Sequence, residues 1–211
     1  MIQQTTFYVA RHGQTEFNLK GIIGGILEPN ELSPKGEEQA GILGEKLQHI
    51  PFDKIYSSKL SRAKKTAEII ATKRNLLVEY DKMLNERNWG SLQGISFSDA
   101  QKKYPEAFIV ESKIEGKEAL KFKYVSDMES LEDTVKRFRS FLNKVIKRNA
   151  GKTILIVCHF DIMIGFLFSL GYGTYQDLMN ASFDHTGYYE LLHDGGSFMI
   201  KDVVGLKLKE K

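Results

Sequence analysis

Two runs of the chain, Thr5–Ala10 and Ile154–Cys158, consist of β-branched, aromatic and aliphatic residues with no polar alternation. A strand with one wet face alternates, so an unbroken run suits a strand covered on both faces, the usual case in a parallel sheet flanked by helices. The chain between the two runs agrees. Helical patterns are expected from about Pro34 to Gln48 and from about Leu60 to Arg74, with short strands at Lys54–Ser57 and Leu77–Tyr80. This alternation predicts an α/β fold of three layers, doubly wound, with a mostly parallel sheet and helices on both faces.

Several boundaries have a local cause. Ser33 before Pro34 supplies an N-cap oxygen and a first-turn residue that needs no amide hydrogen bond, and Ser130 with Asp133 has capping-box spacing. The helix expected after Ser130 puts Val135, Phe138, Leu142, Val145 and Ile146 on one stripe, leaving its basic residues to solvent. Lys102 to Asp127 is the least regular stretch and reads as an excursion over the sheet edge, within a single domain spanning 1–211.

Charge and cysteine content narrow the function. A formal charge of +3 is too small a surplus to argue for nucleic acid, although it does not repel anionic substrates. One cysteine, Cys158, can form neither an intramolecular disulfide nor the thiolate set of a structural zinc site. The opening residues Met1–Thr6 do not resemble a signal peptide, and Ile162–Leu170 is too short to cross a bilayer, so a cytoplasmic protein without membrane contact is expected.

Both buried runs end in a histidine. Arg11, His12 and Gly13 follow the first and His159 the second, which delivers them outside the carboxyl ends of strands, where open α/β sheets place ligands. Arg62 falls in the first turn of a helix capped near Ser58, where the macrodipole disfavours a cation unless an anion sits beside it. A solvated surface arginine is the alternative. Cys158 and His159 are no nucleophilic pair, because neighbouring strand residues point to opposite faces and the thiol is expected inside.

The sequence resembles the histidine phosphatase, or phosphoglycerate mutase-like, superfamily. The resemblance rests on Arg11-His12-Gly13-Gln14-Thr15 with Asn18, Leu32-Ser33 with Gly36 and Gln39-Ala40, and Ser57-Ser58 through Arg62-Ala63 and Thr66-Ala67. It continues through Leu84-Asn85-Glu86-Arg87 with Gly90 and Gly94, and ends at His159. It implies His12 as nucleophile, Arg11, Arg62 and His159 around the transferring phosphoryl, and Glu86 as proton donor. Glu86 has the alternative of an ion pair with Arg87 or Arg62. Substrate contacts are expected from Arg11, Asn18, Gly24, Gly25, Arg62, Glu86, Arg87, His159 and Phe160. No metal and no cofactor is expected, because arginines and histidines can stabilise the charge that magnesium handles in other phosphoryl-transfer enzymes. The expected partner is a small phosphorylated metabolite, and a homodimer is among the assemblies left open.

The sequence departs from the family pattern at Phe160, where glycine is common, at Cys158, and at Ile22 and Gly24, where many members carry Arg and Gln. Phe160 can line the pocket or turn into the core. The favoured activity is hydrolysis of a small phosphomonoester through a phosphohistidine. Phosphoglycerate mutase is the alternative, since Leu84–Gly94 resembles the mutase motif. Glycolytic mutases, however, place arginines and prolines in the following excursion, where Lys102–Asp127 has no arginine and one early proline, Pro105. An inactive phospho-ligand-binding module is the third reading.

Overall fold

The computed structural model describes residues 4–208; the remainder of Met1–Thr6 beyond this range, namely residues 1–3, lies outside the described residues. In chain order the elements are β1 (Thr5–Arg11), α1 (Glu16–Leu19), α2 (Pro34–Lys46), β2 (Lys54–Ser57), α3 (Ser61–Ala71), β3 (Val78–Tyr80), α4 (Phe97–Lys103) and α5 (Pro105–Glu111). They continue with α6 (Leu131–Arg148), β4 (Thr153–Cys158), α7 (Phe160–Ser169), α8 (Tyr175–Met179), β5 (Ser182–His193) and β6 (Phe198–Lys207).

The strands form one sheet in the order β3-β2-β4-β1-β5-β6. The first four are parallel, and β5 and β6 extend the sheet antiparallel beyond β1. Strands β1 and β4 occupy the centre, which explains why both lack polar alternation. One face packs Phe7, Val9, Ile156 and Cys158 beneath α6 and α7, and the other packs Tyr8, Ala10, Leu155 and Val157 beneath α2 and α3. The three-layer expectation therefore holds, and Cys158 is buried in the core, where burial pushes its thiol well up.

The caps behave as their chemistry requires. Ser33 Oγ accepts from the Gly36 amide at 3.1 Å, and Ser130 Oγ accepts from the Asp133 amide at 3.1 Å while donating to its carboxylate at 2.6 Å. The helix carrying Arg62 differs from expectation. Its N-cap is Leu60, whose amide is held by Ser58 Oγ, and the Ser61 amide is taken by Glu28 Oε1 at 2.7 Å. The excursion is more regular than a polar stretch predicts: α4, α5 and a short 3-10 turn at Gly116–Lys121 enclose a small core of Ile23, Trp89, Leu92, Ala100, Tyr124 and Met128.

Candidate active site

The register between β1 and β4 places the two histidines. Arg11 lies opposite Cys158, and the His12 amide donates to the Cys158 carbonyl at 3.1 Å, so His12 and His159 leave adjacent strand ends. Their ring centroids are 5.1 Å apart. Glycine follows His12 because the backbone there passes close to the start of α2: a Cβ on Gly13 would run into the Gly36 carbonyl.

The tautomer of His12 is fixed by its surroundings. Nδ1 lies 2.6 Å from the Gly13 carbonyl, which can only accept, so Nδ1 carries the proton and Nε2 carries the lone pair. Arg62 Nε donates to Nε2 at 3.2 Å, and its Nη2 donates to the Gly25 carbonyl at 2.7 Å. Burial, with Arg62 and Arg11 adding positive charge, holds the His12 pKa well below its ordinary value, so the ring is neutral. A neutral imidazole with a directed lone pair is a nucleophile.

Above this nitrogen is a cavity of about 280 Å³, lined by Arg11, His12, Asn18, Gly24, Gly25, Arg62, Glu86, Phe160 and further residues. Two guanidinium atoms here, Arg11 Nε and Arg62 Nη1, are buried with no hydrogen-bond partner among the described residues. Arg62 Nη1 has the Glu28 carboxylate 4.0 Å away, beyond hydrogen-bond distance, and charged donors left without a bond beside a cavity are what an anion with several oxygens can satisfy. Burial lowers the Arg11 pKa to about 10 and lowers that of Arg62, and both remain cations at neutral pH.

Glu86 stands across the cavity. Its oxygens accept from the Arg87 amide at 2.8 Å and the Asp161 amide at 3.4 Å. Burial first, and then the neighbouring Asp161 carboxylate, pushes its pKa from 4.5 up to about 7, the range a general acid needs at neutral pH. Neither Arg62 nor Arg87 forms a side-chain ion pair with it among the described residues.

Arg87 corrects an expectation. It is one of the largest fully buried side chains and is absent from the cavity wall: Nε donates to the Glu129 carbonyl at 2.8 Å and Nη2 to the Phe122 carbonyl at 3.0 Å. Glu86 lines the cavity, and the side chain of Arg87, the next residue, bonds to the excursion instead. His159 is also not on the wall. It lies beneath, fully buried, with Nε2 2.8 Å from Ser58 Oγ, which in turn meets Asn85 Oδ1 at 3.0 Å. Phe160 meets both alternatives: its half-buried ring lines the cavity with the Arg11 guanidinium 5.3 Å above it, and it also packs against the core beneath α6 and α7.

Two members of the site were not anticipated. Asp161 is 4% exposed, lines the cavity, and accepts from Trp89 Nε1 at 2.8 Å. An isolated acid within the apolar run Phe160–Leu170 is the sequence signal for it. His185 lies 3.0 Å from Asn18 Oδ1, and burial with Arg11 nearby lowers its pKa to about 4. It comes from the irregular part of β5, and no motif marks it.

Fold and site together define a class: a doubly wound α/β protein with a histidine-centred, cation-lined cavity at the carboxyl ends of its central strands. Comparison with known proteins gives the family. The profile of the histidine phosphatase superfamily (branch 1) matches residues 7–204, and the chain belongs to that superfamily. Phosphatase or mutase chemistry is what this membership supports. The chain is 34% identical over 151 residues to phosphoserine phosphatase 1 of Hydrogenobacter thermophilus, covering 72% of this chain and 69% of that protein. It is 29% identical over 209 residues to the 2,3-bisphosphoglycerate-dependent phosphoglycerate mutase of Cytophaga hutchinsonii, covering 96% and 93%. Among solved structures, YhfR of Bacillus stearothermophilus superposes with a TM-score of 0.82 at 25% identity, covering 93% of this chain and 95% of that one.

Proposed function

We propose that the protein is a phosphatase that hydrolyses small phosphomonoesters through a phosphohistidine on His12. The observation that carries this reading is the His12 ring itself, neutral, with Nδ1–H tied to the Gly13 carbonyl and the unprotonated Nε2 accepting from Arg62 Nε beside a cavity lined by Arg11, Arg62 and Glu86; that bond gives way when Nε2 attacks phosphorus. In the first step Nε2 attacks phosphorus, the ester P–O bond breaks, and Glu86 gives its proton to the departing alkoxide. In the second step water attacks the phosphohistidine, the N–P bond breaks, and the Glu86 carboxylate takes the proton from that water. Arg11 and Arg62 hold the equatorial oxygens through both steps, which is the positioning and charge stabilisation that phosphoryl transfer requires.

The mutase reading requires a binding site for the carboxylate of the substrate and exclusion of water. Ile22 and Gly24 bring no charge to the cavity wall, and Lys102–Asp127 brings no lysine to it. Both facts favour hydrolysis.

Rapid quench with phosphorus-labelled substrate in the presence of EDTA is the test. The expected result is a label on His12 that is stable to base and labile to acid, absent in His12→Ala. Turnover retained by His12→Ala with no label on the native protein refutes the reading.

A further inference from the structure

The cavity above His12 continues past Phe160. Trp89, Phe97, Phe160 and Asp161 line both it and a second chamber of about 380 Å³. Five rings, Trp89, Phe97, Phe108, Tyr124 and Phe160, make up nearly half of the second chamber's wall, Phe108 coming from α5 and Tyr124 from the stretch before α6. Trp89 stacks on Tyr124 at 5.7 Å and 17°, Tyr124 meets Phe108 at 4.5 Å, and Phe108 meets Phe97 edge-on at 5.5 Å. Rings that pack on one another in these geometries hold their orientation, so the chamber is walled before anything enters it.

Its charges have one sign. The second chamber is lined by Glu111 and Asp161 and, among the described residues, by no lysine, arginine or histidine. Arg11 and Arg62, the only lysines or arginines on the first cavity's wall among the described residues, flank His12. Arg87 approaches from behind the Trp89 ring, 5.5 Å from its centroid, with its guanidinium bonded to the Phe122 and Glu129 carbonyls. Burial raises the Glu111 pKa, and even in its neutral form it offers a second anion no positive charge. A carboxylate entering here would lose its hydration and find no cation on the wall, the Arg87 charge behind it already acting on Glu111 and Asp161, which is costly, whereas an apolar ring gains by leaving water.

We propose that this aromatic chamber is the leaving-group subsite, and that it takes phosphate monoesters whose alcohol half carries a flat apolar ring and no second negative charge. The proposal rests on the phosphatase reading and adds the substrate class. It separates this chain from the substrates in its relatives' names, phosphoserine and phosphoglycerate, both of which carry a carboxylate.

The test compares kcat/KM for three primary alkyl esters: phenethyl phosphate, ethyl phosphate and phosphoserine. Phenethyl phosphate should exceed ethyl phosphate by about 10- to 100-fold, the discrimination an apolar pocket can supply, and phosphoserine should fall below both. Phe108→Ala should lower the phenethyl-to-ethyl ratio by about tenfold. Should that variant fail to fold, Phe97→Ala, at a side chain already 47% exposed, should lower the ratio in the same direction. Glu111→Gln should raise the phosphoserine-to-ethyl ratio. Faster turnover of phosphoserine than of phenethyl phosphate, or a ratio unmoved in a folded ring variant, overturns the proposal while leaving the phosphatase reading intact. No turnover of any ester, with no label on His12, removes the phosphatase reading and the proposal together.

Discussion

Replacing Glu86 by Gln isolates the proton that the proposed mechanism assigns to it. The amide matches the carboxyl in length and can still accept from the Arg87 amide at 2.8 Å, but it cannot act as an acid. An alkyl ester leaves as a strongly basic alkoxide, so its cleavage should slow by about 10² to 10⁴-fold, the usual contribution of general acid catalysis. An aryl ester with an acidic phenol needs little protonation and should slow by less than about tenfold. The structure also fixes the pH dependence. A carboxyl with a pKa of about 7 is roughly three-quarters protonated at about pH 6.5, whereas one at 4.5 is about 1% protonated there. Burial and Asp161 therefore raise the acid-competent fraction by roughly 75-fold at that pH. Because the proton is needed for cleavage, kcat/KM on an alkyl ester should fall as pH rises through 7, and this limb should vanish in Glu86→Gln. Phosphate release from alkyl and aryl esters between about pH 5 and 9 measures both effects. Equal losses on the two ester classes, or a limb near pH 7 that survives the substitution, would refute the reasoning.

Two further outcomes follow from the neighbours of Glu86. Asp161→Asn removes a negative charge that disfavours the Glu86 carboxylate, so the Glu86 pKa should drop and the falling limb of the same profile should move to lower pH. Arg87→Ala strips two part-buried carbonyls, of Phe122 and Glu129, of their donor and should cost roughly 1–3 kcal/mol in urea unfolding, while kcat/KM of the protein that remains folded changes little.

The parts legible in the sequence are those whose physics is local or periodic. Strands β1 and β4 are legible because a strand covered on both faces needs unbroken apolar side chains, and α2 and α6 because Ser33 and Ser130 cap them. From those strands alone His12 and His159 fall at one rim. Strands β5 and β6 have no such signature: β5 carries Asp184, His185 and Thr186, the last at φ 64°, and its pairing with β6 shifts register between Phe183 and Tyr188. Packing against β1 rather than periodicity makes β5 a strand. The excursion looks irregular because α4 and α5 are seven residues each and broken at Pro105, too short for a period to emerge. Arg87 is the instructive case, since it stands next to Glu86 in the sequence yet is absent from the cavity wall that Glu86 lines. Its resemblance to a family motif concealed a side chain that bonds to the backbone carbonyls of Phe122 and Glu129.

The bonds of Arg87 belong to a neck. The Glu129 amide donates to the Asn88 carbonyl at 2.8 Å, the Asn88 amide donates back to the Glu129 carboxylate at 3.1 Å, and Arg137 holds that carboxylate from α6 at 2.8 Å. The chain between Asn88 and Glu129 thus leaves and re-enters the sheet layer through one hydrogen-bonded gate, and it carries Phe97, Phe108, Glu111 and Tyr124 with it. The nucleophile and both cavity arginines lie outside this stretch. The same stretch pairs back onto the cavity wall, the Ile23 amide donating to the Ile95 carbonyl and the Phe97 amide to the Gly21 carbonyl, each at 2.9 Å, so a change within it reaches the pocket from two sides while His12 stays where the central strands put it.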